Sequence, residues 1–484
     1  MMKTILSLIS LALTTPCFAQ YIIVSDPVVV SDQENNGNLR PRVVENASSD
    51  PVIVWSDNAT HKVYATHLMG NTFMNPVQLN PEGTMAAVYD WSGPEIAANG
   101  NDIYVVYKEL PESSGDIYLV HSANGGMSWG SPLLVSSSES IAARMPSVAA
   151  GSDGEVYVAY MLENYDTMAT EWVLVKSEDE GQTFSAEVSA TNAIVETVCD
   201  CCPADLLVHQ NYVAILYRNN DENLRDIRGA VSSDGGETFD VFIDFDPLDW
   251  EIDACPASGP RGVIDGFEIY SIWMSDATGE SRVYHSQHGF GPGSAVNIIE
   301  IHPTTENETQ NYPSLAREYS YGYGLVAWEV NDSGQKDIAL SWTASNFSLN
   351  EYMVITSDDS GHQQRPELAG TGPLYHLVYS DNGGDALIYR TVDISNSVQD
   401  FDHSPQLTVY PNPTIDEVYV DILFSNTNDI SYRICDLQSR PVRSVKPFTS
   451  TGPLRISFED LASGVYVLEL RTGNKVSRVQ VVRG

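Results

Sequence analysis

Basic residues are scarce in this chain: 25 Lys and Arg stand against 65 Asp and Glu, a formal charge of −40. That excludes a nucleic-acid partner held through phosphates, because no cationic surplus exists to displace counterions. The acidic balance suits a protein in solution outside the cell and says nothing about catalysis. Long apolar runs are missing beyond the N-terminus, so no membrane-spanning helix is expected. The one such run, residues 5–13, follows Lys3 and precedes Cys17-Phe18-Ala19, the arrangement of a secretory signal cut before Gln20. Pro16 before Cys17 argues against a lipid anchor there. Cysteine is sparse too, six residues in all, and four of them fall in two tight places.

What is present is a repeated turn. It reads Ser122-Ala123-Asn124-Gly125-Gly126-Met127-Ser128-Trp129, then Ser177-Glu178-Asp179-Glu180-Gly181-Gln182-Thr183-Phe184, then Ser232-Ser233-Asp234-Gly235-Gly236-Glu237-Thr238-Phe239, 55 residues apart each time. A fixed interval near 50 with a β signature marks a propeller. The carboxylate of such a turn accepts backbone N–H groups of its own loop. Its Gly permits positive φ, where a Cβ would clash.

A second marker is a Pro opening each unit: Pro41, Pro94, Pro146, Pro203, Pro256, Pro313 and Pro366. Strand-like runs follow each one, such as Ile103-Tyr104-Val105-Val106-Tyr107 and Val156-Tyr157-Val158-Ala159-Tyr160. The seventh unit lacks a fourth strand, and residues 26–32 read like one. The expected fold is therefore all-β, a seven-bladed propeller closed by its N-terminal strand over 20–398. Six blades are the alternative if one weak unit is a loop. Closure of this kind leaves no long open edge.

The Ser-x-Asp-x-Gly-x-Thr-aromatic pattern resembles the Asp-box, or BNR repeat, of the sialidase superfamily. That resemblance implies that Ser122, Asn124, Gly126, Trp129, Ser177, Asp179, Gly181, Phe184, Ser232, Asp234, Gly236 and Phe239 are structural. It places the boxes between third and fourth strands, opposite the binding face. Catalytic members are six-bladed and grip a carboxylate with three arginines, beside a Tyr nucleophile with a Glu partner and an Asp acid/base. The last 80 or so residues resemble the C-terminal sorting domain of type IX secretion. The resemblance rests on Val409-Tyr410-Pro411-Asn412-Pro413 and Leu461-Ala462-Ser463-Gly464-Val465-Tyr466-Val467-Leu468, with a basic β-branched tail. It implies a small β-sandwich over 399–484, export across the outer membrane, and a secreted or surface location.

Applied to this chain, the geometry of the sialidase fold brings Arg40, Arg144, Cys202, Cys255, Tyr312 and Arg365 to the binding face. Asp57, Lys108, Glu109, Arg218, Asn219, Glu329 and Asp381 join them from the ends of second strands. Arg144, Arg218, Arg225 and Arg365 are the candidate anion-binding residues, since guanidinium pairs with carboxylate bidentately. The bland alternative is that they cap strands or pair with the many carboxylates. Cys199, Cys201 and Cys202 with Cys255 would suit either a structural zinc or disulfides. Cys202–Cys255 or Cys199–Cys255 are the expected bridges, because a vicinal pair is strained. No other cofactor is implied. The functional expectation is an exported propeller that recognises, and as hydrolase or lyase cleaves, an anionic glycan. The rival is a non-catalytic surface binding or adhesion module.

Overall fold

The computed structural model describes residues 22–32, 37–89, 91–136, 142–164, 166–167, 169–191, 197–294, 298–303, 308–318, 323–343, 352–357, 361–370, 373–394, 408–410, 414–421, 430–435, 441–448, 454–472 and 475–483. The leader at 1–19, the link at 395–405 and Pro411-Asn412-Pro413 lie outside them. Among the described residues all regular structure is β. The chain divides into two compact units, one of them spanning Ile22–Ile394.

Within Ile22–Ile394 the described strands form seven sheets. The second is typical: Glu95–Asn99, Asp102–Lys108, Ile117–Ser122 and Leu133–Leu134, paired antiparallel in chain order. The opening strands of the seven sheets are Leu39–Glu45, Glu95–Asn99, Ala142–Ala150, Asp205–His209, Arg261–Asp265, Glu308–Glu318 and Gln363–Ala369. Each packs against the opening strand of the next sheet, and the last packs against the first. In the seventh sheet Ile23–Val24 and Val28–Ser31 pair with Ala386–Asp393.

Alternating side chains on one strand serve two different cores. Tyr104 and Val106 pack toward the third sheet with Val156, Val158 and Tyr160. Val105 and Tyr107, one position over, pack toward the first with Val54, Val63 and Ala65. A strand covered on both faces is apolar at every position, which explains runs such as Ile103-Tyr104-Val105-Val106-Tyr107. Another core joins the ends of the unit: Val43, Ile53 and Trp55 of the first sheet meet Val378, Leu387 and Tyr389 of the seventh.

The three turn motifs connect third to fourth strands. In the third, Ser232 Oγ accepts from Gly236 N (2.9 Å) and donates to Asp234 Oδ1 (2.7 Å). Asp234 in turn accepts from Thr238 N (3.0 Å) and Thr238 Oγ1 (2.7 Å). The second copy repeats these bonds at Ser177, Asp179, Gly181 and Thr183. In the first, Asn124 Oδ1 and Ser122 do the same for Ser128 N and Gly126 N. Hydrogen bonds from Ser232 and Thr238 hold the Asp234 carboxyl down at about 2. Gly236 lies at φ 90°, and a Cβ there would come 2.4 Å from Leu174 of the preceding sheet. Phe239 enters the core between those two sheets. Each box therefore fastens its sheet to the one before.

The C-terminal unit has a three-stranded sheet (Thr408–Tyr410, Glu417–Asp421, Leu454–Ser457) and a four-stranded one (Pro441–Phe448, Ile430–Cys435, Gly464–Thr472, Lys475–Arg483). Val418, Val420 and Ile456 of the first share a core with Ile434, Leu468 and Val481 of the second. Cys435 lies in the strand Ile430–Cys435.

Candidate functional site

The Pro markers are where the opening strands change character. Arg40, Met145, Tyr312 and Arg365 each precede one and hold positive φ, 49°, 49°, 47° and 56°. At each the ladder skips a residue: between Leu39 and Arg42, Arg144 and Ser147, Asn311 and Ser314, and Gln364 and Glu367. Such bulges re-aim side chains, and non-Gly residues at positive φ cluster at functional sites. The fifth marker is Pro260, not Pro256 as the repeat suggested. The opening strand there starts at Arg261, directly after Pro260, while Pro256 sits in the preceding loop. Two prolines four residues apart fit the interval about equally, and only the ladder distinguishes them.

The residues that follow the markers meet around the axis. Arg42 Nε lies 2.7 Å from Glu95 Oε2, and its Nη1 lies 3.3 Å from Glu367. Arg261 pairs with Glu95 (3.3 Å), Asp205 (3.2 Å) and Glu367 (3.4 Å). Arg40 pairs with Glu95 at 3.2 Å. Ser147 and Ser314 accept the N–H groups of Leu206 (3.1 Å) and Leu368 (3.0 Å), each in the next sheet. Burial would raise Glu95, but Arg261, Arg42 and Arg40 together hold it far below the usual carboxylate range. Burial pushes Asp205 up to about 6, against the pull of Arg261. Burial and the neighbouring Arg42, Arg365 and Arg261 bring Arg40 down to about 9, against Glu95. None of Arg42, Glu95, Asp205, Arg261 and Glu367 is apparent from composition; the position after each correctly placed Pro would have found four of them.

This ionic layer divides two cavities, since Arg42, Glu95, Arg261 and Glu367 line both. The one on the marker side is also lined by Arg40, Tyr312 and Arg365. The Arg365 guanidinium lies 4.3 Å over the Tyr312 ring, with Nη2 3.5 Å from its hydroxyl. Four arginines thus face two glutamates in this cavity. In a chain of charge −40, that is a local reversal of sign.

Of the arginines expected to bind anions, Arg365 alone lines this mouth. Arg144 is held by Glu112 (2.7 Å), by Glu163 and by the Asp200 carbonyl (3.2 Å). Arg218, 1% exposed, donates to the carbonyls of Ser258 (3.1 Å), Met274 (2.8 Å) and Arg225, and lies over Trp250. It is a buried tie between the fourth and fifth sheets, out of reach of a ligand. Arg225, 7% exposed, sits in the loop between the second and third strands of the fourth sheet. Other expected residues serve their own loops. Asp57 accepts from Ala59 N and Thr60 N; Lys108 donates to the Gly115 and Ala143 carbonyls. Asn219 accepts from Asp226 N, Glu329 pairs with Lys336, and Asp381 accepts from Gln363. Burial raises the Glu109 carboxyl.

The cysteines form disulfides, in a pairing other than the expected one: Cys199–Cys202 and Cys201–Cys255. Their Cα atoms are 5.5 and 6.3 Å apart, within the normal span. Pro256 as the marker would set Cys255 level with Cys202 of the neighbouring sheet, and with Pro260 as the marker that equivalence disappears. The sulfurs of Cys199, Cys201 and Cys202 all lie within 4.8 Å of one another. The exposed bridge Cys201–Cys255 ties the segment before the fourth sheet to the loop whose residues 257–260 line the mouth.

Among solved structures the chain is similar to a protein of unknown function from Dyadobacter fermentans DSM 18053, with 12% identity, 74% of this chain and 99% of that one covered, and a TM-score of 0.47. It is also similar to a Penicillium chrysogenum alpha-L-arabinanase (13%, 77% and 99%, 0.43) and a Trypanosoma rangeli sialidase (12%, 94% and 88%, 0.42). No curated protein matches. No helix among the described residues is long and apolar enough to cross a membrane. Residues 408–483 match the secretion system C-terminal sorting domain. The chain thus carries at its C-terminus the address of type IX secretion, which directs it to the cell surface or beyond.

Proposed function

We propose that the exported unit is a seven-bladed propeller, closed by its N-terminal strands, that recognises an anionic glycan at the marker-side mouth of its axis. One observation carries the reading: four arginines, Arg40, Arg42, Arg261 and Arg365, and two glutamates, Glu95 and Glu367, are the charged residues that line this mouth among the described residues, with Asp205 paired to Arg261 behind them, within an otherwise strongly acidic chain. Burial and mutual repulsion already lower Arg40, so an incoming carboxylate or sulfate relieves an unfavourable excess of positive charge. Tyr312, stacked under Arg365, adds a ring of the kind that packs on a sugar.

Recognition is favoured over cleavage. A general acid needs a proton near working pH. The two carboxylates of this mouth are both clamped by arginine, and Glu95 is held firmly ionised.

The test is binding of acidic oligosaccharides to the full secreted protein at low salt, with reducing ends and 235 nm absorbance followed in the same samples. Binding without turnover, weakened at least tenfold by Arg365→Met and by added salt, is the expected result. Turnover would make the protein an enzyme. Binding indifferent to Arg365 would remove the mouth from the account.

A further inference from the structure

The two disulfides of the propeller unit are in contact with one another. Cys199 Sγ lies 3.6 Å from Cys201 Sγ, although each is bonded elsewhere. Burial grades the four residues. Cys199 and Cys202 are buried, Cys201 is half-buried and Cys255 is exposed. A thiol in solution therefore meets the cluster at Cys255, and the inner bridge Cys199–Cys202 is shielded from it.

The outer bridge also stands against the mouth. Pro203 and Ala204, just past Cys201, line that cavity, and so do Ala257, Ser258, Gly259 and Pro260, just past Cys255. The two segments press together: a Cβ at Gly259 would come 2.0 Å from the Pro203 carbonyl oxygen. Residues 253–260 belong to no strand. The bridge holds this loop together with the contacts of Ser258 to Arg218 (3.1 Å) and Asn311 (2.9 Å).

We infer that the cluster is a thiol-exchange site that latches one wall of the mouth. Exchange proceeds by attack of a thiolate on one disulfide sulfur, through a mixed disulfide. A small external thiol adds at Cys255 Sγ, the Cys201–Cys255 bond breaks, and Cys201 leaves as thiolate. Cys201 then turns onto Cys199. A Cys199–Cys201 bond forms, the Cys199–Cys202 bond breaks, and Cys202 leaves with the electron pair and takes up the proton that the external thiol gave up. Two disulfide bonds remain, one of them to the external thiol, so no oxidant is consumed. An isolated bridge opened in this way recloses, because its own partner attacks at high effective concentration. Here that partner has a second sulfur in contact, and the added product state draws the opening forward. The effect on the mouth rests on the anionic-glycan reading; the exchange rests on the sulfurs alone.

The test treats the full protein with a limited excess of 2-mercaptoethanol, a neutral thiol that a chain of charge −40 does not repel. Acid quenching, alkylation of the unfolded chain and mass spectrometry then map the cysteines. The expected product carries mercaptoethanol on Cys255, a Cys199–Cys201 bond and an alkylated Cys202. The double variant Cys199→Ser, Cys202→Ser, shown to be folded by its melting curve, should need about threefold more thiol for half-opening, since it lacks the second sulfur. An acidic hexasaccharide should bind the opened wild type about tenfold more weakly, because a disulfide contributes to binding by holding a site preformed. Mercaptoethanol on Cys255 with Cys201 alkylated and Cys199–Cys202 intact overturns the relay. Adducts that appear first on Cys199 or Cys202 overturn the point of entry. Unchanged affinity of the opened form overturns the latch. If the untreated protein binds no acidic sugar, the function proposed for the mouth fails, and the cysteine map still decides the exchange.

Discussion

Replacing Arg261 by Met is the sharpest probe of the axial layer. The guanidinium lies 3.3 Å from Glu95, 3.2 Å from Asp205 and 3.4 Å from Glu367, all with side chains under a fifth exposed. At an effective dielectric of about 20, each contact is worth about 5 kcal/mol in gross Coulomb energy. Most of that is cancelled by the cost of removing the four charges from water. The measurable quantity is the penalty of stranding three carboxylates with Arg42 and Arg40, about 3–5 kcal/mol by analogy with broken buried pairs. Urea titration, which adds no salt, should show that loss at pH 7. The deficit should shrink at pH 5, and the sign follows from linkage. A carboxyl whose folded pKa is raised adds stability below its unfolded value and loses it as pH climbs through the folded one. Asp205 is already up at about 6, and losing Arg261 removes the pull that opposes burial there and at Glu95. Glu95 in the wild type behaves oppositely: its stabilising effect is complete above its unfolded pKa and fades only in strong acid. Adding Glu367→Gln to Arg261→Met should recover part of the loss. A single variant within 1 kcal/mol of wild type, or a deficit that ignores pH, would refute the idea that this layer holds the sheets together.

Ser232→Ala should cost about 1–2 kcal/mol, because it orphans the buried Gly236 N–H; urea unfolding reads this, and glycan affinity should not change. Arg218→Met should destabilise the fold, since three carbonyls lose their donor, while binding per folded molecule survives; lost binding in a folded variant would restore Arg218 as a ligand contact. Cys255→Ser should lower stability by about 2–4 kcal/mol through the loop closed across 54 residues. Thiol labelling of the unfolded wild type should find Cys199, Cys201, Cys202 and Cys255 blocked, and metal analysis should find no stoichiometric zinc. Deleting 408–483 should leave the protein inside the cells that normally export it, as read by immunoblot of cells and medium.

Local chemistry was legible in the sequence. The box turns bond within eight residues, so Ser, Asp, Gly and Thr at set spacing specify them wherever they stand. Strands buried on both faces reveal themselves as unbroken apolar runs, and the sorting domain carries short motifs of its own. The axial layer was not legible, because it joins residues far apart in the chain: Arg42 meets Glu367 across 325 positions, and Arg261 meets Glu95 across 166. Whether an arginine faces the axis, a ligand or a carbonyl depends on where its strand begins in the ladder. Four residues of error at one proline misplaced Cys255, and with it the disulfide pairing. Arg218 looked like a ligand grip by type and place, yet tertiary packing turned it onto backbone carbonyls. Turn chemistry and burial pattern are properties of neighbours along the chain, whereas the site is made by sheets brought side by side, and only the assembled ring decides which charges meet.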